Sequence, residues 1–333
     1  MRALLVAGTG RMGREIGAAF LRRGIDVTWR SRDRGRLAPL QRWVARALRH
    51  EPGDSAAATA RFLGPDDPLP AVDLAIETVD ESAPAKRGVL SALEARLPAA
   101  VPLASNSSSL LPSSLHPRCQ GLHFFQPTES ARFVEWVVPA AAPDEVRARV
   151  RCLLDETGLR PIVQDEARAF ALNRLLLPLQ AACFRALAAG APAALVDEAS
   201  TSALLPVGQL AIFDGIGLDV VAPAVTNYVT RMPPDEAASL APLGEGLALL
   251  LAAGKRGRKN DDGLLVGGPL PWTTHPEASV PSLRTDFEAI LVRTCAGFLA
   301  RGEIGGDDLR LAWTQLHGAE AAAALDRALA GAA

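Results

Sequence analysis

Four short patches in the middle of the chain carry side chains suited to moving a proton at an oxygen atom. They are Ser105-Asn-Ser-Ser108-Ser-Leu, Gly121-Leu-His123-Phe-Phe-Gln126-Pro, Phe133-Val-Glu135-Trp and Phe170-Ala-Leu-Asn173-Arg. The second and third read as neighbouring strands, so the His123 imidazole and the Glu135 carboxylate can meet. A carboxylate beside an imidazole fixes its tautomer and raises its basicity, which suits a general base for a hydroxyl proton. Ser108 and Asn173 are neutral hydrogen-bonding groups, able to hold an alcohol or carbonyl oxygen without adding charge. Each residue also has a plainer explanation. A histidine on a buried strand is more often a satisfied core group, a serine-rich loop is commonly just a loop, and an asparagine before a helix is commonly an N-cap.

What weights the chemical reading is the start of the chain. An apolar strand from Ala3 runs into Gly8-Thr-Gly10-Arg11-Met12-Gly13, then a helical pattern through Phe20 to Gly24, then a second strand from Ile25 to Trp29. Glycine clusters also make ordinary turns. Between a buried strand and a helix, however, this spacing tightens the turn and lets backbone N–H groups approach a pyrophosphate at the helix N-terminus. A nicotinamide dinucleotide held there, next to His123 and Glu135, is the equipment for hydride transfer at a secondary alcohol.

The first half alternates strands and helices. A helix is expected from Leu37 to Arg49 and a short one from Ser55 to Phe62. A strand follows from Asp73 to Glu77, a helix from Ala85 to Leu97, and strands at Pro102, Gly121, Phe133 and Pro161, with a helix from Pro143 to Thr157. Such alternation predicts an α/β, Rossmann-type, mostly parallel doubly wound sheet over residues 1–167. Beyond about Phe170 the periodicity is helical, which predicts an all-helical C-terminal domain over 168–333, with a partial second helical unit over 280–333. Cys183-Phe-Arg-Ala-Leu-Ala-Ala-Gly190 echoes Cys295-Ala-Gly-Phe-Leu-Ala-Arg-Gly302. An internal repeat and two similar helices with glycine caps account equally for the echo.

The 333 residues are 49% hydrophobic and 22% charged with a net charge of -2, so no nucleic-acid or anionic-membrane partner is expected. The four cysteines show no spacing for a metal or redox motif and read as buried thiols in a reducing compartment. No signal peptide and no membrane span are expected, which makes the protein cytoplasmic.

The glycine fingerprint, Ile76-Glu77 with Glu81, the serine patch, His123-Phe-Phe-Gln126-Pro, Glu135 and Asn173-Arg-Leu-Leu together resemble the 3-hydroxyacyl-CoA dehydrogenase family. Pro206-Val-Gly208 and Asp214-Gly-Ile-Gly-Leu-Asp219 continue the resemblance. Residues 254–263 are similar to the segment after that domain in the fatty-acid oxidation multienzymes. The resemblance implies His123 as acid/base, Glu135 as its partner, and Ser108 and Asn173 as holders of the reacting oxygen. It places Gly8, Gly10, Arg11, Met12, Gly13 and Glu77 near the cofactor, and implies a helical domain that walls the cleft and often mediates a homodimer. The substrate it implies is an acyl thioester of coenzyme A or acyl carrier protein. A dehydrogenase of a related hydroxy acid and a non-catalytic cofactor-binding protein are the alternatives.

The sequence departs from the family in three places. Where NAD-dependent members end the second strand with an acidic residue, this chain has Arg30-Ser31-Arg32. Guanidinium and hydroxyl suit a 2′-phosphate, so NADP(H) is favoured; NAD(H) follows if Asp33 binds the ribose instead. Gln126 replaces the usual asparagine, and Glu166-Ala-Arg168 replaces a Pro-Gly turn. Arg42, Arg46, Arg49 and His50 on the helix after the second strand fit either a carrier's phosphate or a merely solvated face.

Overall fold

The computed structural model describes residues 1–49, 58–274 and 279–332, and the chain divides into two compact units, 1–170 and 171–333. In the first, eight strands form one sheet in the order β3-β2-β1-β4-β5-β6-β7-β8. They are β1 (Ala3–Ala7), β2 (Asp26–Arg30), β3 (Ala60–Leu63), β4 (Leu74–Glu77), β5 (Leu103–Ser105), β6 (Cys119–His123), β7 (Phe133–Val138) and β8 (Arg160–Asp165). The helices between them are α1 (Arg11–Arg22), α2 (Leu37–Ala47), α3 (Ala83–Glu94), α4 (Pro112–Leu115) and α5 (Asp144–Glu156).

A strand covered on both faces needs apolar side chains at every position, because alternate residues point to opposite sides. β1 shows this division. Leu4 and Val6 join one core cluster with Ile16, Phe20 and Trp29, whereas Leu5 and Ala7 join another with Val89 and Leu90 of α3. Strand order reverses between β1 and β4, and the crevice at such a switch point is where this architecture binds ligands.

Two sequence expectations need correction. The helix expected from Ser55 to Phe62 is not there in its described part: Ala60–Leu63 is the edge strand β3, parallel to β2. Its alanine-rich start reads as helical locally, but Phe62 stacks on Trp29 of β2 with ring centroids 5.3 Å apart, and that tertiary contact outweighs propensity. Residues 50–57, including His50, lie outside the described residues. Of the cysteines, Cys119, Cys183 and Cys295 are buried, but Cys152 is exposed on α5.

The second unit is helical throughout: α6 (Ala171–Ala188), α7 (Ala193–Ser200), α8 (Gln209–Ile216), α9 (Leu218–Val229), α10 (Pro234–Ser239), α11 (Ala241–Ala252), α12 (Val280–Ala300), α13 (Gly306–His317) and α14 (Ala319–Ala332). Two aspartates, Asp214 buried and Asp197 half-buried, stitch its loops. Asp197 accepts from the N–H groups of Leu210 and Ala211 at the start of α8, and Asp214 accepts from those of Leu264 and Leu265. The echoing segments close α6 and α12, each followed by a glycine with positive φ, Gly190 at 94° and Gly302 at 64°. Both echoing segments thus end in a helix C-cap.

On α13 the His317 ring packs against Trp313 at 4.7 Å. Burial pushes its pKa down to about 4. The unfolded chain takes up this proton near its ordinary value of ~6.5, so the fold is fully stable with respect to this group above that value and loses stability as pH falls from there toward 4. The ring keeps some contact with water, which limits the expected loss to about 2 kcal/mol. Urea unfolding at pH 7 and pH 4 should show the loss in the parent protein and a smaller one in His317→Phe. An equal loss in both would assign the acid sensitivity elsewhere.

Candidate active site

His123 ends β6 and Glu135 lies in β7. These two strands are antiparallel, an exception in a largely parallel sheet, and their register sets His123 directly opposite Glu135. Directly paired residues point to the same face, so the two side chains must meet. The His123 Nδ1 lies 2.6 Å from the Glu135 Oε2. The other carboxylate oxygen accepts 2.9 Å from the Gln164 amide on β8, so Glu135, with no exposed surface, is held from both sides. The imidazole is flanked by the rings of Phe125 at 4.3 Å and Phe170 at 5.8 Å. With Nδ1 engaged by the carboxylate, Nε2 is the nitrogen left to exchange a proton.

The serine patch is folded around Glu81. Its Oε1 accepts from the hydroxyls of Ser107 (2.5 Å) and Ser109 (3.0 Å) and from the N–H groups of Ser108 (3.1 Å) and Ser109 (3.2 Å). Asn106 ties the same loop to the histidine strand, its Oδ1 accepting from the Phe124 N–H at 2.9 Å. Behind the loop, Lys86 of α3 lies buried between two carboxylates, 3.2 Å from Glu77 and 3.2 Å from Glu81. Burial raises the Glu77 carboxyl above its ordinary value against the pull of Lys86. For Glu81 burial acts the same way, but Lys86 and the serine hydroxyls outweigh it and hold the group below its ordinary value.

The Glu77 side chain, expected beside a cofactor, is turned into the fold, while its strand position is paired with Ala7 at the wall of the glycine-loop cleft. It has no exposed surface, and its oxygens are engaged by Ser105, Lys86 and the Val79 N–H. The residues after it, Thr78, Val79 and Asp80, face the cleft instead.

That cleft has a volume of about 370 Å³ and is walled by Gly8, Thr9, Gly10, Arg30, Ser31 and Arg32, with Asp33 and Arg36 beside them. The backbone fits a pyrophosphate. Gly8 has φ 149° and a side chain there would collide with Thr78; a Cβ on Gly13 would come within 2.5 Å of the Gly8 carbonyl oxygen. The Arg14 N–H bonds the Gly10 carbonyl, leaving the N–H groups of Arg11, Met12 and Gly13 as the acceptor-free first turn of α1. The side chains of Arg11 and Met12 go elsewhere. Arg11 pairs with Glu15, whose second oxygen takes the Gln126 amide at 2.7 Å, and Met12 packs on the core.

Arg30 is buried, donates from Nη2 to the Pro65 carbonyl, and has no acceptor for Nε among the described residues. Burial and the nearby Arg96 lower its pKa, a strain that a bound dianion would relieve. Asp33 caps a short turn by accepting from the Gly35 N–H at 2.8 Å. On α2, Leu40 and Val44 are buried, whereas Arg42, Arg46 and Arg49 are exposed.

In the helical unit, Asn173 lies inside the first turn of α6 rather than before it, and its amide donates 3.1 Å to the Tyr228 hydroxyl. Glu166 and Arg168 form a short turn capped by Asp165, after which Phe170 adopts φ 61°, a left-handed conformation costly for a bulky residue. Lys86, Asn106 and Gln164 escaped the sequence reading. Lys86 sits in an ordinary amphipathic helix pattern, and nothing in one strand announces that Gln164 will face Glu135 from the next.

Two family models match the chain: "3-hydroxyacyl-CoA dehydrogenase, NAD binding domain" over residues 3–167 and "3-hydroxyacyl-CoA dehydrogenase, C-terminal domain" over residues 170–266. A fatty acid oxidation complex subunit alpha from Vibrio cholerae is 31% identical over 168 residues, 49% of this chain and 24% of the relative. One from Vibrio parahaemolyticus is 28% identical over 204 residues, 58% of this chain and 28% of the relative. The chain thus spans about a quarter of the length of these curated relatives. Among solved structures, (S)-3-hydroxybutyryl-CoA dehydrogenase from Ralstonia eutropha superimposes with a TM-score of 0.69 at 27% identity, covering 81% of this chain and 100% of that one. The Escherichia coli 3-hydroxybutyryl-CoA dehydrogenase gives 0.71 at 17% identity, over 99% and 94%, a likeness of fold alone.

Proposed function

Because the chain belongs to the 3-hydroxyacyl-CoA dehydrogenase family, a group of nicotinamide-dependent oxidoreductases, we propose that it interconverts 3-hydroxyacyl and 3-oxoacyl thioesters with a preference for NADP(H). The observation that carries the chemistry is the 2.6 Å contact between His123 and a fully buried Glu135. The bound nicotinamide supplies or accepts the hydride exchanged with the substrate carbon. In reduction, protonated His123 gives the proton on Nε2 to the developing alkoxide, while Glu135 stabilises the imidazolium through Nδ1. Gln164 keeps the carboxylate aimed at the ring. Ser108, on a loop moulded by Glu81, takes the role of hydrogen-bonding the reacting oxygen. The Gly8–Gly13 turn and the α1 N-terminus would hold the pyrophosphate.

The NADP(H) preference is carried by Arg30. A largely buried guanidinium lining the cleft suits a 2′-phosphate, and Ser31 and Arg32 flank it. Asp33, the competing candidate for the ribose, is engaged in capping. With acetoacetyl-CoA as substrate, kcat/KM should be higher with NADPH than with NADH by roughly 10- to 100-fold, the range of one or two charge-assisted hydrogen bonds. Arg30→Asp should erase or invert that ratio. An NADH advantage in the parent that survives Arg30→Asp defeats the preference. The substrate class is tested beside it on acetoacetyl-CoA, acetoacetyl-carrier-protein and free 3-oxo acids; no turnover of any thioester overturns the proposed reaction.

A further inference from the structure

The helical unit contains a second cavity, of about 400 Å³, bounded by α6, α10 and α12. Residues 267–333, which include α12, lie outside both family-model matches, so one wall of the cavity is built by a part of the chain the family models do not cover. Four arginines line it: Arg174 and Arg185 from α6, Arg293 from α12 and Arg301 just beyond its end. They are met by Glu236 on the rim and by Glu303, which pairs with Arg174 at 2.8 Å and Arg301 at 2.6 Å. Two positive charges remain in excess.

The cavity is not simply a solvated basic face. Arg174 and Arg301 both stack on the buried Phe298 ring, at 5.3 and 5.4 Å, which fixes two guanidinium planes against an apolar floor. Arg174 is largely buried; its Nη2 faces Glu303, and its Nη1 has no hydrogen-bond acceptor among the described residues. Arg185 and Arg293 are exposed at the mouth, and Leu177, Leu240 and Ile290 complete the floor. A guanidinium left short of an acceptor beside an apolar floor is incompletely satisfied by protein alone. The volume falls within the usual range for small-molecule sites, ~300–1,000 Å³.

We propose that this cavity is a binding site for a small amphipathic anion, a carboxylate or phosphate head group on an apolar chain. The head group is held by Arg185 and Arg293 at the mouth and the chain lies on Phe298 and its neighbours. None of the residues assigned to turnover lines it.

Calorimetric titration of the 333-residue protein with octanoate, octyl phosphate, inorganic phosphate and 1-octanol tests this. Octanoate or octyl phosphate should saturate one site, and whichever binds tighter identifies the head group. Inorganic phosphate and octanol should each bind at least about tenfold more weakly, because each lacks one half of the recognition. Arg185→Gln with Arg293→Gln should weaken the amphiphile by about tenfold or more, while His123→Ala leaves its binding unchanged. No saturable binding of either amphiphile overturns the proposal. So does binding insensitive to the double substitution, or inorganic phosphate binding as tightly as octyl phosphate.

Discussion

Replacing His123 by alanine is expected to lower kcat for acetoacetyl-CoA reduction on the order of 10²–10⁴ while leaving NADPH affinity within about twofold. The split follows from geometry. The imidazole sits at the end of β6 against Glu135, Phe125 and Phe170 and is absent from the walls of the glycine-loop cleft. A residue that only filled space would, on truncation, loosen its neighbours without selecting the proton-transfer step. Glu135→Gln should follow His123→Ala in direction, because an amide keeps the shape but not the charge that steadies an imidazolium. Gln164→Leu should cost less, roughly 10- to 100-fold, since it removes one hydrogen bond to a carboxylate worth about 1.5–3 kcal/mol. Stopped-flow turnover and fluorescence titration of NADPH measure the two quantities separately. NADPH binding lost with turnover intact would remove His123 from the proposed chemistry.

The gradation among these three residues also shows where a sequence is legible. The apolar run into Gly8–Gly13 announces its own function, because a buried strand, a turn with unusual φ and a helix start are all local properties. The His123–Glu135 pair was inferable because its residues are only 12 positions apart, on strands that are adjacent in the chain and paired in space. Gln164 depends on β8 joining the far side of β7, a contact across 29 positions that no local pattern encodes. The edge strand β3 failed for the same reason in reverse. Its identity is set by Trp29 on β2, not by its own alanines. Glu77 was legible as a strand-end carboxylate but not in its orientation, since the residue that turns it inward, Lys86, belongs to the next helix.

Lys86→Met is expected to destabilise the sheet-bearing unit by about 3–5 kcal/mol, the usual consequence of removing one partner from a buried ion pair. The ammonium is 2% exposed and lies between Glu77, Glu81 and the Val79 carbonyl, so methionine would fill its volume while leaving two carboxylates facing each other. The sign of the pH dependence follows from Glu77, whose carboxyl is raised by burial even with Lys86 present. A group with a raised pKa in the fold is tolerated when protonated and costs stability as pH climbs through that value. The deficit of Lys86→Met against the parent should therefore be widest at pH 8 and narrow toward pH 5, and adding Glu77→Gln should recover much of it at pH 8. A deficit independent of pH would mean lost packing rather than an unpaired charge. The same substitution loosens the anchor of Glu81, on which the Ser107–Ser109 loop is folded, so kcat should fall along with stability. If Glu77→Gln restores the fold but not kcat, the two glutamates around Lys86 divide its service: one for holding the sheet together, the other for placing Ser108.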